Sequence, residues 1–163
     1  MTDTTSESSR PPSTERRIVV GVEGSGGARA ALRFAIQEAK YRDAYIDVVT
    51  AYLSTYVPVA AEIGFTPLDP IDLVGEVEKM QQEVVQSVID DDSVEIRTRL
   101  LKGRAAETLI EASEGAEMLV VGNRGRGGFR GLLLGSVSHQ IAQHASCPVV
   151  IVRAELLPHE QDG

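Results

Sequence analysis

Three apolar runs constrain this chain more than any other feature: Ile18 to Val22, Met118 to Val121 and Val149 to Val152. Such runs, with no polar alternation, are the pattern of strands buried on both faces, as in parallel sheets flanked by helices. Helical periods lie between them. After Val22, Ser25 can cap a helix whose Ala28, Ala31, Leu32, Ala35 and Ala39 share one stripe, and Ile46 to Tyr52 follows as a strand. A second helix places Val74, Val77, Met80, Gln81, Val84 and Val88 near one face. Its end is expected around Asp90 to Asp92, because three carboxylates are unfavourable at the negative end of a helix dipole. Val94, Ile96, Thr98 and Leu100 alternate with Glu95, Arg97 and Arg99, as in a strand with one solvated face at a sheet edge. Arg104 to Glu114, with Ala105, Leu109, Ala112 and Ala116 inward, and Ser136 to Ala145 read as further helices. The expected fold is an α/β three-layer sandwich on a five-stranded parallel sheet.

A length of 163 residues suits one domain, expected over 16–153. Residues 1–15, rich in Ser, Thr and Pro, read as a disordered tail, and 154–163 as a loose one. Pro58, Gly64, Pro67 and Pro70 mark Leu53 to Pro70 as a long connection. No apolar run approaches the roughly 20 residues needed to span a bilayer, so no membrane role is expected. The N-terminus lacks the apolar core of a secretory signal, and a single cysteine suits a reducing cytoplasm. A net charge of −8 argues against general affinity for nucleic acid. Any bound anion must be held locally.

One stretch could do so. Gly122 to Ser136, GNRGRGGFRGLLLGS, places six glycines and three arginines between the fourth strand and a helix start. Gly122, Gly125, Gly127 and Gly128 allow close backbone approach, Ser136 offers a hydroxyl, and Arg124, Arg126 and Arg130 supply charge at a positive helix end. The other reading of that composition is a surface loop with solvated arginines. The first strand also runs into glycines, Gly24, Gly26 and Gly27. In the order 3-2-1-4-5 strands one and four are neighbours, so the two glycine segments would face each other across the switch point. Neither a P-loop nor a dinucleotide fingerprint is present, for lack of the lysine and of the G-x-G-x-x-G spacing.

Gly122-x2-Gly125-x9-Gly135-Ser136 resembles the G-2x-G-9x-G-[ST] pattern of the ATP-binding branch of the universal stress protein family. IVVGVEGS, KGRAAETLIEAS and SCPVVIVR resemble that family's first strand, a later helix and its closing strand. The resemblance implies a Rossmann-like fold of the adenine nucleotide alpha hydrolase type and a cytoplasmic stress-response regulator that binds ATP, with Mg²⁺ arriving on the nucleotide. It implies that Gly122, Asn123, Arg124, Gly125, Arg126, Gly127, Gly128, Gly135, Ser136 and Val137 surround the phosphates. Gly21, Val22 and Glu23 would line the adenosine side, and the backbone of Ala51 would meet adenine. A homodimer through Val149 to Val152 is also implied. Glu23 stands where the family usually has Asp, a carboxylate displaced by about one bond length.

Other constellations carry less. His139 and His144 are five apart, which is not the spacing of two ligands on one helix face, so no protein-held metal is expected. Cys147 before Pro148 reads as packed, and Ser136, Ser138 and His139 do not constitute a triad, so no catalytic residue is assigned. Slow ATP hydrolysis stays open. So do a fold-retaining interaction protein, a binder of another adenine nucleotide such as a cyclic one, and an ATP pyrophosphatase, whose S-G-G-x-D-S sequence is only begun by Ser25-Gly26-Gly27.

Overall fold

The computed structural model describes residues 15–23, 26–53, 73–90, 92–123 and 133–154. Along the chain these provide β1 (Arg17–Gly21), α1 (Gly26–Arg42), β2 (Tyr45–Tyr52), α2 (Leu73–Gln86), β3 (Ile96–Lys102), α3 (Ala105–Ala112), β4 (Met118–Gly122), α4 (Ser136–His144) and β5 (Val149–Val152). The strands form one parallel sheet in the order β3-β2-β1-β4-β5. The expected class, order and edge position of β3 are all observed.

Side chains alternate across the sheet and divide the core in two. Ile18, Val20 and Val22 meet Ile46, Val48, Met118, Val120 and Val152 under the alanine stripe of α1 and Val84, Val85 and Val88. On the other face Val19, Val49, Leu119 and Val121 pack against Leu109 of α3 and Ile141 of α4. β1 lies at the centre of the sheet, so its residues 18–20 are fully buried.

Several boundaries move for local reasons. α1 ends where Asp43 takes a left-handed conformation (φ 52°) and Ala44 N–H reaches back to Ala39 O at 3.1 Å. α2 ends at Gln86, before the aspartates, because Ser87 Oγ donates to Val84 O and the chain turns. Val74, expected inward, is 42% exposed. In α3 the buried residues are Ala106, Thr108 and Leu109, with Ala105 and Ala112 half-buried. Ser25 and most of the Leu53 to Pro70 connection lie outside the described residues.

The solvated face of β3 has a structural task. Arg99 Nε donates to Asp47 Oδ1 at 2.9 Å, a second bond joins the same two groups, and Arg17 lies 3.7 Å from Asp47 Oδ2. These bonds raise the Arg99 guanidinium further above its usual range and allow Asp47 to lie buried in the sheet. Arg97, bonded to Glu95 and Glu15, covers the Tyr45 ring with its guanidinium 3.8 Å from the ring centroid.

Candidate functional site

Because all strands run one way, Gly21, Tyr52, Gly122 and Val152 end along the same edge of the sheet. β1 and β4 are adjacent there, and their following helices, α1 and α4, lie on opposite faces. That is the switch point of an open α/β sheet, the usual place for a ligand crevice.

The two glycine segments meet at their described ends. A Cβ built on Gly122 would lie 2.8 Å from the carbonyl carbon of Gly27 and 3.0 Å from its Cα and O. Glycine at 122 is thus demanded by close passage of the first turn of α1 across the end of β4. A Cβ on Gly21 would instead meet Leu109 Cδ1 at 2.8 Å, on the α3 face.

Asn123 ties this edge to α4. Its N–H donates to Val152 O (2.9 Å), extending the β4–β5 ladder, while its C=O accepts from Gly135 N–H (2.7 Å) and Ser138 Oγ (2.8 Å). Its side-chain Nδ2 donates to Leu133 O at 3.3 Å. Four contacts therefore close the base of the glycine loop on one buried residue. The amides of Ser136, Val137 and Ser138 precede the first intrahelical bond, His139 N–H to Gly135 O, and the N-cap Gly135 offers no side chain to cap them. Ser136 is exposed beside them.

A second buried network reaches the end of β1. Gln81 of α2, only 2% exposed, donates from Nε2 to Thr50 Oγ1 and to Arg99 O at 3.0 Å, with Val48 O at 3.3 Å. Thr50 Oγ1 in turn donates to Val22 O at 2.9 Å, and Val22 N–H donates to Val49 O. The residue after Val22 is Glu23, half-buried just past the end of β1.

The structure thus gathers Glu23, Ala51, Gly122, Asn123, Gly135, Ser136 and Val137 at the ends of β1, β2 and β4 and the start of α4. Gly21 and Val22 are buried, Val22 within the α1-side core, and Val137 packs partly against the α4-side core. Arg124, Gly125, Arg126, Gly127 and Gly128 lie outside the described residues, as does Arg130. Sequence reasoning missed Ser138, Thr50 and Gln81 as parts of this edge. A glutamine within an otherwise apolar helix stripe was the available signal, since a buried amide needs partners. Cys147 is half-buried against the α4-side core. Among the described residues no three metal-ligating side chains gather, and no helix is long and apolar enough to cross a membrane.

Residues 15–153 match the Universal stress protein family. A universal stress protein of Mycolicibacterium smegmatis is 35% identical over 147 residues, covering 87% of this chain and 49% of that protein. The chain therefore spans about half the length of that curated relative. A universal stress protein of Methanocaldococcus jannaschii is 31% identical over 144 residues, covering 85% of this chain and 82% of that protein. Among solved structures, a universal stress protein in complex with cAMP is 27% identical with a TM-score of 0.58, covering 86% of this chain and 98% of the other.

Proposed function

The chain belongs to the universal stress protein family, and from that premise we propose that it binds an adenine nucleotide at the β1–β4 switch point and acts as a homodimeric stress-response regulator. The observation that carries this reading is the uncapped first turn of α4, presented at the crevice edge by Asn123. Among the described residues the amides of Ser136 and Val137 have no partner, and such amides at a positive helix end favour phosphate oxygens.

In this arrangement the amides of Ser136 and Val137, with the Ser136 hydroxyl, hold phosphate. Gly135 contributes by lacking a side chain, because its own N–H is used by Asn123. Gly122 contributes by admitting α1 close to β4. Arg124, Gly125, Arg126, Gly127 and Gly128 complete the phosphate side by the family's glycine pattern. Gly21 and Val22 hold the end of β1, Glu23 faces the ribose, and the Ala51 backbone meets the base. Mg²⁺ would neutralise phosphate charge while held by phosphate oxygens and water, and no side chain here is assigned to it. The half-buried apolar edge of β5 is the surface that a second copy would cover.

Calorimetric titration of the ligand-stripped protein with ATP and Mg²⁺ tests this reading. Saturable binding is expected, weakened about three- to tenfold by Ser136→Ala and by Glu23→Gln, each removing one hydrogen-bonding or charged group. The cAMP complex of a relative favours a second ligand in the same crevice, so ATP and cAMP are expected to compete. Absence of saturable binding by both nucleotides sinks the proposal.

A further inference from the structure

The two buried networks at the crevice edge are separate. One joins Asn123 and Ser138 to β5 and the start of α4. The other joins Gln81 and Thr50 to the end of β1. No hydrogen bond of either set passes to the other among those described. We propose that the two halves of the nucleotide are positioned by two independent latches: Ser138 with Asn123 for the phosphates, and Thr50 with Gln81 for the nucleoside. The proposal rests on the adenine-nucleotide reading above and assigns all four as positioning residues that act through the groups they hold.

The phosphate latch follows from where its donors end. Ser138 is 3% exposed and its hydroxyl lies 2.8 Å from Asn123 O and 3.2 Å from Gly135 O. One hydroxyl therefore fixes the first turn of α4 against the peptide that continues β4, and Gly135 N–H to Asn123 O adds a second tie. The amides of Ser136 and Val137, without partners among the described residues, lie between these two fixed points. Loss of the Ser138 hydroxyl leaves the helix folded but frees its first turn to shift, so charge-directed binding weakens while the nucleoside side is untouched. Phosphate recognition by backbone amides depends on such preorganisation, because donors that must be ordered on binding contribute less.

The nucleoside latch runs through the sheet. Gln81 lies in the part of α2 that is buried, and its amide binds the backbone of β2 and β3 as well as Thr50. Thr50 passes that constraint to Val22 O, one residue before Glu23. Thr50 is 2% exposed, so its hydroxyl serves the Val22 peptide and not a ligand. Without it, the carboxylate of Glu23 is presented from a looser strand end.

The test is an affinity ladder of adenosine, AMP and Mg·ATP on the full chain, stripped of ligand, by calorimetry. Ser138→Ala is expected to lower ATP affinity about tenfold and leave adenosine within about twofold, so the gain on adding phosphates shrinks. Thr50→Val is expected to lower adenosine and ATP by the same factor, about fivefold, so that gain is preserved. A general loss of folding instead lowers the calorimetric stoichiometry and the melting temperature and not the affinity of the folded fraction, and an unchanged adenosine affinity in Thr50→Val overturns the nucleoside latch. If Ser138→Ala does not fold, Ser138→Cys, which keeps the side-chain volume but hydrogen-bonds only weakly to Asn123 O, carries the phosphate arm and moves the ladder the same way. Equal losses for adenosine and ATP in the phosphate-side variant, or none, overturn the latch. A wild-type chain that binds none of the three ligands overturns the nucleotide reading itself.

Discussion

Gly122→Ala is the sharpest perturbation of the switch point, and its cost follows from the packing of α1 on β4. The added methyl would lie 2.8 to 3.0 Å from three backbone atoms of Gly27, where ordinary contact begins near 3.4 Å. The first turn of α1 must therefore retreat from β4 by roughly half an ångström, an overpacking cost of about 1–3 kcal/mol. Gly122 does not have a positive φ, so alanine can adopt its backbone and regains about 0.4–1 kcal/mol from the unfolded chain. The net expectation is a loss of about 1–2 kcal/mol, or a fall in Tm of roughly 3–8 °C for a domain of this size. Gly21→Ala is the control. Its new methyl meets side-chain atoms, Leu109 Cδ1 at 2.8 Å, Val121 Cγ1 at 3.1 Å and Leu109 Cδ2 at 3.2 Å, which can give way for about 0.5–1.5 kcal/mol, so the net cost is smaller than that of Gly122→Ala. Thermal and urea melts of the two variants decide the matter. A Gly122→Ala protein as stable as Gly21→Ala refutes the claim that α1 packs backbone-to-backbone on β4. The same geometry means that lost ATP binding in Gly122→Ala would report a displaced α1 as much as a blocked phosphate loop, which is why Ser136→Ala is the cleaner ligand variant.

Three other outcomes follow from contacts outside that junction. Arg99→Met is expected to cost about 2–3 kcal/mol in urea unfolding, since among the described residues it leaves the buried Asp47 with Arg17 alone, at 3.7 Å, whereas Asp47→Asn costs about 1 kcal/mol because the half-exposed Arg99 regains water; the reverse order counts against this assignment. Asp43→Gly is expected to stabilise by about 0.5–1 kcal/mol by relieving the left-handed residue that ends α1, and a lower Tm would show that the Asp43 side chain contributes more than its backbone costs. Sedimentation velocity at micromolar concentration is expected to show a dimer that Ile151→Lys shifts toward monomer, and a wild-type monomer across that range removes β5 as the dimer edge.

What was legible in the sequence was whatever repeats locally. The unbroken apolar runs of β1 and β4 encode burial on two faces and the alternation of β3 a half-solvated edge, so class and the edge position of β3 could be read from period, whereas β5, with an equally apolar run, lies half-buried at the other edge and Thr98 of β3, expected inward, is exposed. Helix ends were less legible because single contacts decide them. The Ser87 hydroxyl closes α2 ahead of the aspartates that were expected to stop it. At the crevice, composition indicated that Gly122 matters but not why: its neighbour Gly27 is far away in sequence, and no local pattern records a close approach between distant backbones.

Asn123 shows the same limit at the level of function. A polar residue inside a glycine-rich loop reads as a ligand contact, because composition does not distinguish a side chain aimed at solvent from one that closes the loop. In the fold its N–H belongs to the β4–β5 ladder, its carbonyl holds Gly135 and Ser138, and its amide holds Leu133. A residue with every one of these groups engaged internally contributes to binding by fixing what others present. That division separates the two kinds of variant physically. Removing a group that touches phosphate lowers affinity through a lost contact, whereas removing Ser138 does so by unlocking the amides of Ser136 and Val137. The second loss alone should recover in conditions that independently stabilise the helix start, because the phosphate-binding groups remain in the chain.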